Sequence, residues 1–307
     1  MAVTLSDVAQ KAGVSRSAVS RTFTHGASVS QKTRLKVEKA ARELGYAPSA
    51  LASALSTGRT KLIGLVSNNF HNPLFLQVFD LFTRLLQERG MRPLLVNLSG
   101  EPDPEQSVRM LQQYSVDGVI VASSTLSPGF AEAFKHAGMP VVHSFGRWSS
   151  SPNVNVVGID NVAGGRMAAQ ALMDRGYARV AFLGGPETAT STFDRRKGFL
   201  EKIKSARSVT YTETFADAYS FEAGRAEMQR LLANGKPAEA YFCGDDVLSI
   251  GAMSALKDAG LSVPEDVGII GLNNMQIAGW ENIALTTIHQ PVKEIIQSSI
   301  ELVMSVI

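Results

Sequence analysis

The chain has 307 residues, 45% hydrophobic and 19% charged, enough for two or three domains with sizeable cores and too apolar for general disorder. Its single cysteine, Cys243, excludes an intrachain disulfide, and no uninterrupted apolar run is long enough for a bilayer. The net charge of +2 hides an asymmetry: residues 1–60 hold nine Lys/Arg against Asp7, Glu38 and Glu43, a net +6, and the remainder carries −4, so one end is suited to a polyanion.

The opening residues MAVTLSDVAQ lack a basic segment followed by a long apolar run, so a secretory signal is not expected and a soluble, cytoplasmic protein is. Thr4 followed by Asp7 reads as a helix N-cap with an acid in the first turn. Leu5, Val8, Ala9 and Ala12 then form one apolar stripe, and Gly13 supplies a stop. Ser15 caps a second helix. At 100° per residue Arg16, Ser17, Ser20 and Arg21 share an arc of roughly 140°, with Ala18, Val19, Thr22 and Phe23 opposite. A third helix runs from the cap Ser30 through Val37, Ala40, Ala41 and Leu44 to Gly45, and Pro48 prevents its continuation. Helix, short glycine-containing turn, helix is the helix-turn-helix pattern, in which arginine reads guanine edges and serine meets bases or phosphates. The plainer reading is a three-helix domain with a solvated polar face.

The stretches TLSDVAQKAGVSRSAVSRTF and VSQKTRLKVEKAARELGYAPSALASAL resemble the head and hinge of the lactose/galactose-repressor family over about 60 residues. The resemblance implies that Arg16, Ser17 and Arg21 read bases and that Ser15 and Ser20 meet phosphates, and it places Thr4 in the same DNA-binding set. The segment APSALASALSTGRT (47–60) permits a short helix from about Ser49 to Ser56, marginal alone in water. In the family this hinge orders on operator DNA and inserts a leucine into the minor groove, and Leu55 stands at that position. Leu55 as a packing residue between two hinges is the alternative. Ser53 follows the small Ala52 where the family often has arginine, so a minor-groove cation is lost.

From residue 61 short apolar runs alternate with helical periodicity. LIGLVS (62–67), PLLVNL (93–98), GVIVAS (118–123) and PVVHSF (140–145) read as buried strands, with helices including Phe75–Gln87 and Pro104–Tyr114 between them. A second series comprises VVGID (156–160), VAFLGG (180–185), AYFCGD (240–245) and VGIIGLN (267–273). The predicted fold is therefore α/β: an N-terminal three-helix helix-turn-helix head plus two Rossmann-like subdomains with parallel sheets and a cleft between their strand ends.

The segments HNPLF, VDGVIVAS, GIDNVAGG, VAFLGGP, DDVLSIGA and LTTIHQP extend the resemblance through this body, whose relatives also resemble periplasmic sugar-binding proteins. The implied division is a DNA-binding domain at 1–46, a hinge at 47–60, an effector-binding N-subdomain at 61–159 with 290–307, and a C-subdomain at 160–289. The chain is expected to cross near Gly158–Asn161 and His289–Pro291. The family usually continues beyond the final helix, so a stop at Ile307 puts completeness of the first subdomain in question.

Carried over by position, the effector-contacting residues are Leu74, Phe75, Ser144, Phe145, Ser191, Arg195, Tyr219, Asp245 and Asn273. Asp, Asn and Arg grip hydroxyls or carboxylates directionally and aromatic faces stack on rings, which suits a sugar, polyol or sugar acid. Asn273 and Ser144 replace the family's frequent Asp, favouring a neutral or acidic effector. Arg195 as an interdomain ion pair, and Phe75 and Phe145 as core, are the structural alternatives.

No cofactor, metal site or catalysis is expected. His25, His71, His136, His143 and His289 are scattered, Cys243 lies in an apolar run, GGPE (184–187) is no nucleotide fingerprint, and adjacent Asp245 and Asp246 point apart. The expected function is a transcription regulator, most simply a repressor, that binds a near-palindromic operator as a homodimer or higher oligomer and responds to a small effector. The rival is a soluble sugar-binding or sugar-processing protein whose head only dimerises; the basic head argues against it.

Overall fold

The computed structural model describes residues 3–24, 26–98, 103–206 and 208–307, without the side chains of Leu51 and Ser56; the expectation for His25 lies outside them. The chain divides after Lys61 into two units.

In the first unit, α1 (Leu5–Ala12), α2 (Arg16–Phe23) and α3 (Gln31–Leu44) start and stop where capping chemistry dictates. Thr4 and Asp7 form a reciprocal capping box, Ser15 and Ser30 accept from Ala18 N–H and Thr33 N–H, and Gly13 and Gly45 close α1 and α3 in left-handed conformation. Val8, Ala9, Val19, Val37, Ala40 and Ala41 form the small core. Phe23 departs from its expected packed position. It is the last residue of α2, is 37% exposed, and has its ring 5.9 Å from that of Tyr46. The helix α4 (Ala50–Thr57) follows, capped by Ser49 and ended by left-handed Gly58.

The second unit contains two parallel five-stranded sheets. The first is built from β1 (Leu62–Ser67), α5 (Leu74–Glu88), β2 (Arg92–Asn97), α6 (Pro104–Gln113), β3 (Gly118–Ala122), α7 (Pro128–His136), β4 (Val141–Ser144) and β5 (Asn155–Val157). The second is built from α8 (Asn161–Asp174), β6 (Arg179–Gly184), α9 (Thr190–Ile203), β7 (Thr210–Phe215), α10 (Phe221–Ala233), β8 (Ala240–Cys243), α11 (Asp246–Asp258), β9 (Gly268–Asn273) and β10 (Thr286–His289). The orders are β2-β1-β3-β4-β5 and, read from its other edge, β7-β6-β8-β9-β10, so one topology occurs twice. Each order reverses direction beside its first strand, and such switch points open crevices at the strands' carboxyl ends.

Two elements were absent from the sequence reading and one moved. The strand β7, TYTETF, and the strand β10, TTIH, are edge strands with mostly exposed or half-buried side chains, so neither carries an apolar run. The VVGID segment read as the start of the second series pairs instead with β4 in the first sheet and ends at Val157. The chain leaves that sheet through Gly158–Asp160 and leaves the second through Gln290–Pro291 into α12 (Val292–Val306). Val292, Ile295, Ile296, Ile300 and Val303 of α12 join Phe75, Val78 and Phe82 of α5 on one face of the first sheet. Phe130 and Phe134 lead the cluster on its other face. In the second sheet α8 and α9 cover Phe182 and Phe242, and α10 and α11 cover Leu183 and Tyr241. Each fully buried phenylalanine contributes roughly 1.5–3 kcal/mol relative to exposure. The α8–α9 contact is close enough that a Cβ on Gly198 would lie 1.8 Å from Val162 O, and one on Gly165 2.0 Å from Arg195 O.

Candidate functional site

On the head, α2 buries Val19 and Thr22 and exposes Arg16, Ser17, Ser20 and Arg21 together on one side. The Ser15 cap is also exposed, its Oγ 2.9 Å from Ser17 Oγ. Arg21 Nε donates to Ser17 O at 3.3 Å, and neither Arg16 nor Arg21 enters an ion pair among the described residues. Thr4 is exposed, but its hydroxyl and backbone N–H are both occupied by Asp7 Oδ2 at 2.8 Å. Arg34 contributes more than charge to the head. Its Nη1 donates to Thr22 O at 2.9 Å and so ties α3 to the end of α2. Glu43, one of the three acids, is held by Lys11 at 2.8 Å, and these hydrogen-bonding and charge effects pull its pKa below the usual value. Leu55 of α4 is an apolar side chain that is 90% exposed.

The nine expected effector residues are all buried, and they fall into three groups. The polar group gathers on the second sheet. Ser191 and Arg195 come from α9, Tyr219 precedes α10, Asp245 caps α11 and Asn273 ends β9. Asn273 Nδ2 donates to Asp245 Oδ2 at 2.8 Å, and Asp245 Oδ1 accepts from Val247 N–H at 2.9 Å. Tyr219 OH lies 3.3 Å from Ser191 Oγ and 2.7 Å from Thr192 Oγ1. Arg195 Nε donates to Asn161 Oδ1 at 2.8 Å and its Nη1 donates to Gly244 O. Arg195 forms no ion pair within 4 Å among the described residues. The apolar group, Leu74, Phe75 and Phe145, belongs to the first sheet's core, with the Phe75 and Phe145 rings 5.9 Å apart. Ser144 stands apart: its Oγ lies 2.9 Å from Ser299 Oγ on α12.

Several residues that complete this arrangement were given no binding role in the sequence, Asp246 among them, which was noted only as a non-catalytic neighbour of Asp245. Asn72 accepts from Leu74 N–H at 3.0 Å and donates to Asp245 Oδ2 at 3.1 Å, joining the two sheets' strand ends. It lies inside HNPLF, where an Asn two residues before a helix start was the available signal. Asn161, the partner of Arg195, lies inside GIDNVAGG. Asp246 is fully buried and accepts from Met275 N–H at 2.8 Å and Thr287 Oγ1–H at 2.5 Å. It thus pins the turn after Asn273, where Asn273 and Asn274 have φ of 133° and 55°. Such strained backbone persists where surrounding contacts over-determine it, and it clusters at ligand sites. Among the described residues Asn273 Oδ1 is a buried acceptor without a partner.

Burial sets the electrostatics. It pushes Asp245 up to about 7, against the lowering charge of Arg195 and with a further push from Asp246. Burial also raises Asp246, against hydrogen bonds from Thr287 and Met275. It drives His143 down to about 4, with Nε2 3.0 Å from Ser123 O. Cys243 is raised to about 12 by burial, which makes its thiol inert. Among the described residues no group of three His, Cys, Asp or Glu side chains is placed to hold a metal, and no helix is long and apolar enough to cross a membrane. Exposed basic and hydroxyl groups on one helix, and a buried donor–acceptor cluster joining two α/β halves, suit two different ligands.

Comparison with known proteins separates the same two parts. Residues 4–49 match the model for bacterial regulatory proteins of the lacI family, and residues 63–307 match that for a periplasmic binding protein domain. The HTH-type transcriptional repressor PurR of Vibrio vulnificus (strain CMCP6) is 33% identical over 307 residues, covering 98% of this chain and 91% of that protein. The HTH-type transcriptional regulator CelR of Thermobifida fusca is 32% identical over 297 residues, covering 94% and 87%. Among solved structures, the lac repressor dimer bound to operator and the anti-inducer ONPF superposes with a TM-score of 0.89 at 25% identity, covering 100% of this chain and 93% of that one. A complex of CelR with cellobiose gives 0.71 at 28% identity, covering 99% and 92%.

Proposed function

Because this chain belongs to the lacI family of bacterial regulatory proteins, we propose that the exposed face of α2 and the buried cluster at the strand ends are the two ends of one regulatory device. The protein is a DNA-binding transcription repressor and not an enzyme. It acts as a homodimer on a near-palindromic operator, with the two heads on adjacent half-sites. Arg16, Ser17 and Arg21 read base edges, Ser15 and Ser20 meet phosphates, and Thr4 serves mainly by holding α1 in register. Leu55 wedges the minor groove, which its 90% exposure on a short helix supports. Working on DNA, it belongs in the cytoplasm.

The effector binds between the halves formed by 61–159 with 290–307 and by 160–289, in a chain whose head is 1–46 and whose hinge is 47–60. Arg195, Asp245, Asn273, Ser191 and Tyr219 supply the directional polar contacts, and Leu74, Phe75 and Phe145 supply the apolar wall. The observation that carries this reading is the buried, unpartnered Asn273 Oδ1 held beside Asp245 by strained backbone. A cluster of this kind fits a sugar, polyol or sugar acid.

A thermal-shift screen of sugars, polyols and sugar acids tests it, because a ligand of the folded state raises apparent stability. At least one compound is expected to raise the melting temperature and change affinity for DNA. Arg195→Ala is expected to abolish both responses and leave DNA affinity without effector largely intact. A response that persists in this variant would make Arg195 structural.

A further inference from the structure

Among the described residues, side-chain polar contacts cross the cleft at three places. Asn72 reaches Asp245 in the buried interior, and Thr190 Oγ1 donates to Ser124 O at 3.2 Å. The third is an ion pair, Arg147 Nη2 to Asp194 Oδ1 at 2.6 Å. Among the described residues it is the only ion pair between the two halves.

The backbone around Arg147 is fixed by packing. Phe145 sits at φ 62° with its ring in the first sheet's core. A Cβ on Gly146 would lie 2.7 Å from the His143 ring, and one on Gly158 2.5 Å from Gly146 O. The loop is therefore wedged between β4 and the segment where the chain crosses to the second sheet. From there the Arg147 guanidinium meets Asp194 and lies 5.2 Å from the centre of the Phe193 ring. The Asp194 side chain is only 9% exposed, and among the described residues Arg147 is its one hydrogen-bond partner. Closing the halves without Arg147 would leave the Asp194 carboxylate without its hydrogen-bonded counter-charge, a modest cost because the Arg147 side chain is itself 40% exposed. Asp194 immediately precedes Arg195 on α9.

We propose that Arg147 is a positioning residue for the effector site: by clamping Asp194 and Phe193 from the opposite half, it holds the cleft closed and seats the turn of α9 that carries Ser191 and Arg195. The benefit to an effector rests on the function proposed above, whereas the clamp itself does not. Its test therefore contains no effector, and its failure leaves the effector reading to stand or fall separately.

The experiment is hydrogen–deuterium exchange on the full chain, following peptides over Asn68–Phe75 and Thr190–Arg195, with β3 as reference. Arg147→Ala and Asp194→Ala are each expected to speed exchange in the two cleft peptides roughly three- to fivefold, the scale of a partly exposed ion pair, and to leave β3 unchanged. The double variant is expected to go no further than either single, and Arg147→Lys to recover part of the protection. Should Asp194→Ala also speed exchange in β3, Arg147→Gln carries the test alone, because it leaves the buried side of the pair in place. Wild-type exchange in the Arg147 variants, or a double variant whose effect equals the product of the singles, would overturn the clamp.

Discussion

Asp245 and His143 occupy opposite halves of the second unit, and burial displaces both towards neutrality in the neutral range. Their effects on stability have opposite signs. Asp245 moves from 3.8 to about 7, so between those values the folded chain holds a proton that the unfolded chain has released. Stability from this group is present in acid and is lost as pH rises to about 7. His143 moves from 6.5 to about 4, so below 6.5 the unfolded chain takes up a proton that the folded chain refuses. Stability from His143 is present above 6.5 and is lost as pH falls towards 4. The two slopes largely cancel between about pH 4 and 6.5. In thermal melts across this range, Asp245→Asn is expected to lose stability on acidification faster than wild type, and His143→Gln more slowly. Parallel curves for all three proteins would show that neither group is displaced. Residue chemistry was partly legible beforehand. Asp245 and Asn273 stood out by type and position, and the structure brings them within 2.8 Å. Asn72, Asn161 and Asp194 did not, because their partners lie 173, 34 and 47 residues away and no local pattern announces a distant partner.

At the scale of elements, caps and apolar runs were readable, including the edge strand β2, which was expected to be buried but buries only Val96, and the edge strands β7 and β10 were not. Thr4, Ser15, Ser30 and Ser49 start helices where their side chains accept from backbone N–H groups, a local interaction that local sequence can encode. Central strands such as LIGLVS are buried on both faces and so read as continuous apolar runs. The edge strands β7 and β10 face solvent and depend on a single neighbour, so their residue types carry little of that information. The α8–α9 crossing was equally silent, because its glycines matter through what approaches them. Gly198→Ala would drive a methyl group into Val162 O, and overpacking of this kind costs about 1–3 kcal/mol. Urea denaturation is expected to show that loss with an unchanged slope. Stability equal to wild type would mean that α8 and α9 separate at no cost.

For the whole molecule, one topology used twice gives two sheets whose strand ends supply a ligand site, and a separate basic head supplies another. Where effector and DNA each prefer one arrangement of the halves, each biases the other's affinity by the same factor. The claim on which this rests is that α2 reads duplex sequence with its arginine-and-serine face. The direct measurement is selection from a random duplex pool by the full chain, run in parallel with Arg21→Ala. Wild type is expected to enrich a near-palindrome whose half-sites match each other. Arg21→Ala is expected to lose preference at one or two positions per half-site, about 1–3 kcal/mol of discrimination, and to keep its sequence-independent affinity. A pool left unenriched by the wild type, or the same palindrome selected equally well by Arg21→Ala, would contradict it.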